Sequence, residues 1–193
     1  MAERVLVSWS GGKDSALSVL ELSRSPKEEF EIAAILTTLT EGYDRVSMHG
    51  VRRELLERQS RSLGIPLEEV WIPKNASNNV YESKMGEVIE KYGKRHVSSV
   101  AFGDLFLQGI REYREKFIQK FGAKCIFPIW GRNTGDLADF FIDSGFKAII
   151  CCVNPKLLGK EYCGREFNKS FLSELPKTVD PCGENGEFHT FVY

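Results

Sequence analysis

Short apolar runs alternate with amphipathic stretches along most of the chain. The apolar runs predict strands at 4–9, 31–39, 67–72, 97–102, 125–127, 146–153 and 188–193. Apolar residues at helical spacing predict a helix that begins at Asp14 and further helices at 49–63, 80–92, 107–121, 134–144 and 165–175. Strands that alternate with helices are typical of an α/β fold, a parallel sheet covered by helices on both faces.

The predicted fold also indicates where a ligand binds. Ligands of open parallel sheets lie at the carboxyl ends of the strands. The loops after Trp9, Leu36, Phe102 and Val153 follow strands in this way. We predict a core of about 1–128 and a small C-terminal lobe of about 129–193.

Charge and composition restrict the class of protein. The 193 residues carry a formal net charge of −1, from 26 basic and 27 acidic side chains. This balance disfavours nucleic acid as a partner, because non-specific binding to phosphate backbones needs a basic surface. No apolar run approaches the roughly 20 residues of a membrane span, and no secretory signal is visible.

The five cysteines lack the spacing of a zinc site. We expect reduced thiols in a cytoplasmic protein without a membrane partner, and the sequence leaves a homo-oligomer open.

The string Ser-Gly-Gly-Lys-Asp-Ser at 10–15 joins the first predicted strand to the first helix. Gly11 and Gly12 allow positive φ and a close approach of the backbone to a ligand. The helix start adds N–H groups that attract anions, and the Lys13 ammonium supplies a cation for phosphate oxygens. A plain Gly-Gly turn is the alternative, but the full string favours a phosphate loop.

Asp14 distinguishes this string from the Walker-type loop, Gly-x-x-x-x-Gly-Lys-Ser/Thr. A carboxylate beside a phosphate cradle repels the nucleotide unless a cation lies between them. We therefore predict that Asp14 binds Mg²⁺, which bridges it to the phosphates of ATP.

A second group of polar residues follows Asp180 near the end of the sequence. Glu184 and Glu187 flank an Asn-Gly turn, and His189 begins a strand-like run. Such carboxylates can bind a cation, an amine or ammonia, and a histidine can transfer a proton near neutral pH. A solvated acidic turn before an edge strand has the same composition, so the residues alone leave both interpretations open.

These segments resemble known families. Residues 10–15 resemble the signature of the PP-loop ATP pyrophosphatases, which have the adenine nucleotide alpha hydrolase-like (HUP) fold. Residues 45–52, 100–104, 110–114 and 183–190 resemble the diphthine–ammonia ligase family, in the family's order along the chain. The resemblance implies a Rossmann-like HUP sheet with a small C-terminal substrate lobe.

The resemblance also implies a reaction. Diphthine–ammonia ligases use ATP to activate the carboxylate of diphthine, a modified histidine on translation elongation factor two. Ammonium then supplies the amide nitrogen, and AMP and pyrophosphate are released. We therefore expect ATP and Mg²⁺ as cofactors, and ammonium and elongation factor two as partners.

Position in the predicted fold and the resemblance together assign roles to residues. Those expected to bind ATP are Ser10, Gly11, Gly12, Lys13, Asp14, Ser15, Thr37, Thr38, Gly103 and Asp104. Those expected to take part in catalysis are Lys13, Asp14, Glu184, Glu187 and His189. Those expected to contact the substrate are His49, Arg52, Arg111, Glu112, Arg114, Trp130, Glu184 and Glu187.

Several assignments have structural alternatives. Asp104 would support Mg²⁺ or ribose, or else cap the following helix. The charged residues at 111–114 would bind carboxylate or phosphate, or else form exposed ion pairs. Trp130 would wall a pocket or belong to the core, and His49 would contact substrate or cap a helix.

Two other functions remain open at this point. Another PP-loop enzyme, such as a tRNA thiolase or a lysidine-type synthetase, would share the phosphate loop. Thiolases of this kind usually carry paired cysteines for zinc or a cluster, and the cysteine spacing here lacks them. A tRNA enzyme should carry a broad basic face, which the net charge of −1 disfavours. A nucleotide-binding sensor without catalysis is the alternative from another class of protein.

Overall fold

A mainly parallel sheet forms the centre of the computed structural model, which describes residues 2–26, 29–47 and 50–193. Its strands are β1 (Glu3–Ser8), β2 (Phe30–Thr40), β3 (Arg45–Val46), β4 (Leu67–Ile72), β5 (Val97–Ala101) and β6 (Lys124–Ile126). The strand order is β3-β2-β1-β5-β6, and β4 also pairs with β2. All the pairs are parallel except that of β2 with β3.

Helices cover both faces of this sheet. Those that pack on it are α1 (Lys13–Arg24), α2 (Arg53–Leu63), α3 (Asn78–Gly93) and α4 (Gln108–Gln119). Two further helices, α5 (Thr134–Asp143) and α6 (Lys169–Glu174), pack in the C-terminal region. Side chains of a strand alternate between faces, so Val5 and Val7 pack with residues of α1 and α2, whereas Leu6 packs with residues of α3 and α4. The predicted Rossmann-like α/β fold is therefore confirmed.

Two strands outside the central sheet form a sheet of their own. β7 (Ala148–Val153) pairs with β8 (Phe188–Val192), and this pair is antiparallel. The apolar run at 146–153 predicted a further buried strand, but its pattern did not indicate the partner. Aromatic residues fill the core below this sheet, where the ring of Phe141 stacks on Phe146 with centroids 5.0 Å apart.

The predicted helix at 49–63 is wrong at its start. α2 begins at Arg53, because the preceding backbone forms a turn that folds back on β3. The Val46 N–H donates to the Val51 carbonyl at 2.8 Å, and Arg45 forms an isolated bridge with Arg52. Residues 48 and 49 lie outside the described part of the chain.

The predicted helix at 165–175 is shorter than expected. Its first residues are extended, because Glu166 bridges to Ile149 and the Phe167 N–H donates to the Ala148 carbonyl. Asn168 then caps α6 by accepting a hydrogen bond from the Phe171 N–H at 2.9 Å. Among the described residues, no helix combines the length and the apolar character that crossing a membrane requires.

We expect the change Phe141→Ala to lower the free energy of unfolding by about 3–5 kcal/mol, because it leaves a cavity in a fully buried aromatic cluster. Urea denaturation followed by circular dichroism measures this change. The matched control is Phe106→Ala, since Phe106 is 41% exposed. A control as destabilised as Phe141→Ala would contradict the proposed importance of the cluster.

Candidate functional site

The loop at 10–15 lies between the end of β1 and the start of α1. Gly11 adopts a φ of +79°, which favours glycine. Gly12 is the N-cap of α1, and a Cβ at this position would lie 2.9 Å from the Thr190 carbonyl oxygen. The Ser15 hydroxyl donates to the Gly12 carbonyl at 2.9 Å. The turn therefore approaches β8 so closely that a larger residue at position 12 would not fit.

The strand β8 binds directly to this loop. The Val192 N–H donates to the Gly11 carbonyl at 2.9 Å, and the Lys13 N–H donates to the Thr190 hydroxyl at 3.0 Å. Gln59 of α2 reinforces the contact by donating to the carbonyls of Gly11 and Val192, at 3.0 and 2.7 Å. Residues from both ends of the sequence therefore build one site.

The side chain of Lys13 is enclosed, with 1% of the residue exposed. Its Nζ donates to both carboxylate oxygens of Asp14, at 2.7 and 2.9 Å, and to the Cys182 carbonyl. Burial lowers the pKa of the ammonium, but the charge and hydrogen bond of Asp14, together with Cys182 and Glu184, outweigh burial, so the pKa lies above its ordinary value. Lys13 is thus held as a cation.

Glu184 belongs to the turn that follows Asp180. One carboxylate oxygen of Asp180 accepts hydrogen bonds from the N–H groups of Cys182 and Glu184, at 2.8 and 3.2 Å. The Glu184 carboxylate accepts a bond from the Leu105 N–H at 2.8 Å. The turn therefore brings Glu184 to the loop that follows β5.

Burial raises the pKa of the Glu184 carboxyl to about 7. The negative charges of Asp14 and Asp104 add to this increase, whereas the Leu105 N–H and the Lys13 ammonium oppose it. A carboxyl with a pKa near 7 exchanges protons readily at neutral pH, which is the property of a general base.

The phosphate loop and the turn at 180–184 face a shared cavity of about 390 Å³. The predicted site residues that line it are Ser10, Gly12, Lys13, Asp14, Ser15, Gly103, Asp104, Arg114, Glu184 and His189. Gly103 approaches α1 so closely that a Cβ would lie 2.9 Å from the carbonyl carbon of Asp14. The structure thus brings most of the predicted residues together.

A second cavity of about 630 Å³ adjoins the first, and both are lined by Ser8, Ser10 and Arg114. Thr37 and Thr38 line the second cavity. The Thr37 Oγ1 is buried and has no hydrogen-bond partner among the described residues. Because buried hydroxyls usually have a partner, this atom is suited to contact a polar ligand.

Asp104 pairs with Arg114 where the two cavities meet. Arg114 donates from Nε and from a terminal nitrogen to the two carboxylate oxygens, at 2.5 and 3.1 Å. The guanidinium also lies over the ring of Phe102, 4.3 Å from its centroid. Asp104 does not cap α4, because the N-cap of that helix is Leu107.

Other predicted residues lie away from both cavities. Arg111 pairs with Glu115 at 2.8 Å and lies 4.8 Å from the ring centroids of both Phe127 and Trp130. Glu112 accepts a bond from Gln108 on the exposed side of α4. The ion pair of Arg111 matches the structural alternative for the charged residues at 111–114.

Two further predicted residues also fall outside this arrangement. Arg52 is exposed and lines a separate charged groove with Tyr43 and Glu57. Gly11 packs against α2, where a Cβ would lie 2.7 Å from Leu56. His49 lies outside the described residues.

Glu187 lies beneath the turn and not on the cavity wall. It is 2% exposed, and its Oε1 accepts bonds from the Asp180 N–H and the Asn185 amide, at 3.0 and 3.1 Å. Its Oε2 is buried without a hydrogen-bond partner in the described part of the chain. These contacts support the shape of the turn, and a catalytic role for Glu187 stays a prediction.

Sequence reasoning missed Gln59 and gave no role to Thr190. The Gln59 Oε1 also accepts a bond from the Trp9 indole at 2.9 Å, so every hydrogen-bonding group of its amide is used. The helical pattern of α2 shows Gln59 only as a polar residue. The sequence signal that could have pointed to Thr190 is its position directly after His189 in the same predicted strand.

Asp14 is the described residue best suited to hold Mg²⁺ together with phosphate oxygens. Its side chain is 30% exposed, and each carboxylate oxygen accepts one bond from Lys13, which leaves further lone pairs. Within 2–26, 29–47 and 50–193, no three His, Cys, Asp or Glu side chains form a metal-binding group. Mg²⁺ is often bound by one or two carboxylates and the substrate's phosphates, so Asp14 fits such a site.

The fold and the cavity define an α/β protein with a glycine-containing loop and a cavity at the carboxyl ends of its parallel strands. Comparison with known families is more specific. The model of the diphthamide synthase N-terminal domain matches residues 3–125, and that of the diphthamide synthase C-terminal domain matches residues 133–193. The chain belongs to the diphthamide synthase family.

Curated relatives agree with this membership. The chain is similar to proteins named diphthine–ammonia ligase from Bos taurus, Mus musculus and Homo sapiens, with identities of 24%, 25% and 23%. Each alignment covers 98% of this chain and 78% of the relative. The resemblance to this family is confirmed, and so is the prediction of a ligase.

We expect Gly12→Ala to weaken ATP binding by more than about tenfold, because the added methyl group would push the phosphate loop away from Thr190. Isothermal titration calorimetry with ATP measures the dissociation constant. Gly109→Ala is the control, since a Cβ at Gly109 in α4 meets nothing within 4 Å. Unchanged affinity in Gly12→Ala would show that the close approach is not needed for binding.

Proposed function

We propose that the chain is an ATP-dependent ligase that activates the carboxylate of diphthine on translation elongation factor two and amidates it with ammonia. AMP and pyrophosphate are the other products. The observation that carries this proposal is that Glu184, with a pKa of about 7, faces the same cavity as the phosphate loop. The family membership and the names of the relatives support it.

Binding of ATP across the two cavities is the first step of the proposed mechanism. The loop at 10–15 receives the triphosphate at the start of α1, where N–H groups and the helix dipole favour negative charge. The adenosine lies in the second cavity, near Thr37 and Thr38. Mg²⁺, held by Asp14 and the phosphates, would neutralise charge on the phosphate oxygens.

Adenylation makes the carboxylate reactive. A carboxylate is a poor electrophile, and transfer of AMP to it gives a mixed anhydride with a good leaving group. The carboxylate oxygen forms a bond to the α-phosphorus while the bond to pyrophosphate breaks. Arg114 lies where the two cavities meet, and its guanidinium stabilises negative charge on the reacting phosphate. The paired Asp104 carboxylate partly offsets this positive charge.

Glu184 is the proposed base for the second step. It accepts a proton from ammonium, and the resulting ammonia attacks the activated carbonyl carbon. The bond between this carbon and the AMP oxygen then breaks, and the nitrogen gives its surplus proton to the phosphate of the departing AMP or to water. His189 lines the same cavity and is of a residue type suited to proton transfer near neutral pH. In this proposal the region 129–193 handles the acceptor and the nitrogen, while the region 1–128 binds ATP.

The cysteines do not favour a thiolase. Burial raises the pKa of Cys125 and Cys182 to about 12 and that of Cys151 to about 11. A nucleophilic cysteine needs a lowered pKa, so these thiols are poorly suited to sulfur transfer. All five cysteines are free, in keeping with the reducing cytoplasm in which we propose that the protein acts.

The products of the reaction test the proposal directly. We expect AMP, pyrophosphate and amidated factor to form together when the protein is incubated with ATP, Mg²⁺, ammonium and diphthine-bearing elongation factor two. Chromatography of the nucleotides and mass spectrometry of the factor measure this. AMP without amidation would indicate another acceptor, and ATP binding without AMP would indicate a sensor.

The pH dependence tests the role of Glu184. A base must be unprotonated, so at saturating ammonium we expect the rate of amidation to rise with pH through about 7 and to level off above. Glu184→Gln should lower the rate by about 100-fold and remove this rise. The control is Glu112→Gln, which changes an exposed glutamate of α4. A rise near pH 7 that persists in Glu184→Gln would assign the titration to another group.

A further inference from the structure

Lys13 is a buried lysine inside the phosphate loop, and its ammonium is already engaged. An ammonium has three donors, and the Nζ of Lys13 contacts both oxygens of Asp14 and the carbonyl oxygen of Cys182. The Nζ also lies 5.9 Å from the ring centroid of Phe167 and 6.0 Å from that of Phe188. Aromatic rings and protein oxygens thus surround the charge.

The contact with Cys182 joins the phosphate loop to the turn that carries Glu184. Cys182 lies two residues before Glu184, and the N–H groups of both residues donate to Asp180. The turn has a glycine with a φ of +71° at Gly183, and the Leu105 N–H holds the Glu184 carboxylate on its other side. Lys13 therefore contacts the turn at its centre, across 169 residues of sequence.

We propose that Lys13 is a positioning residue, whose ammonium holds the turn at 180–184, and with it the Glu184 carboxylate, against the phosphate loop. The triphosphate is then bound by backbone N–H groups at the start of α1 and by the Ser10 hydroxyl, which accepts a bond from the Gly12 N–H, and not by the Lys13 ammonium. This inference rests on the proposed function in one respect, because it takes Glu184 to be the base for ammonium.

The enclosure of Lys13 argues against a phosphate-binding cation. To donate to a phosphate, the Nζ would have to give up at least one of these three bonds, and Asp14 or the Cys182 carbonyl would lose a charge-assisted bond. Residues that bind phosphate through the side chain need their donors directed at the ligand. Lys13 instead directs them at two segments of the protein.

Lys13→Met tests the proposal, because methionine fills a similar volume without the charge. We expect the dissociation constant for ATP to change by less than about threefold, while kcat/KM for ammonium falls by about 100-fold. Hydrogen exchange at 180–187 should become faster, because the turn loses its contact with the loop. The control is Lys169→Met, which removes an exposed, ion-paired lysine of α6 and should change none of these values.

Two outcomes would overturn the proposal. ATP affinity reduced more than about tenfold, with the response to ammonium unchanged, would make Lys13 a phosphate-binding cation. If Lys13→Met equals the unmodified protein in ATP affinity, in kcat/KM for ammonium and in hydrogen exchange at 180–187, Lys13 neither positions the turn nor binds phosphate.

The unmodified protein provides a measurement that does not depend on the folding of Lys13→Met. If Lys13 stays on Cys182, ATP should leave the protection of 180–187 from hydrogen exchange unchanged or increased. Loss of protection on addition of ATP would show that Lys13 transfers to the nucleotide, and would overturn the proposal. If the unmodified protein makes no amide, the proposed function fails, while this exchange measurement still tests whether Lys13 holds the turn.

Discussion

The hydrogen bonds between the phosphate loop and β8 are the constraint on which the rest of the site depends. The Gly11 carbonyl accepts a bond from Val192, and the Lys13 N–H donates to Thr190. These bonds fix the distance between the N-terminal loop and the segment that carries Glu184 and His189. A parallel sheet alone would offer a phosphate-binding edge, but it would not bring an acidic turn to the same cavity.

Much of the fold could be predicted because its signals are local. Apolar runs marked the strands of the central sheet except the two-residue β3, and the strand–helix alternation predicted parallel pairing with helices on both faces. The antiparallel pair of β7 and β8 was not predicted, because its partners are distant in sequence and their apolar patterns fit either kind of sheet. The predicted start of α2 was wrong for a local reason, because the Val46 N–H donates a hydrogen bond to the Val51 carbonyl in place of the first predicted turn of the helix.

The residues of the candidate site could likewise be predicted where their signals are local, and not where their contacts are distant in sequence. Gly12, Asp14 and Ser15 could be found because loop, strand and helix are consecutive, and Glu184 because it lies in a Gly-punctuated acidic turn. The positions of Arg111 and Glu112 could not be predicted from their charge. A helix presents charged side chains on more than one side, and only the packing of the helix decides which of these side chains face the cavity. Gln59 was missed because its importance comes entirely from three partners that are far away in sequence.

The contacts between the phosphate loop and β8 can form only late in the synthesis of the chain on the ribosome. Thr190 follows Lys13 by 177 residues, so the phosphate loop leaves the ribosome long before the strand that completes it is made. A nascent chain can fold the central sheet early, since domains fold as their residues emerge, yet its loop then lacks the partners that β8 supplies. Products of interrupted translation would therefore lack the partners of the phosphate loop, and only a chain that reaches β8 would join this loop to the turn that carries Glu184.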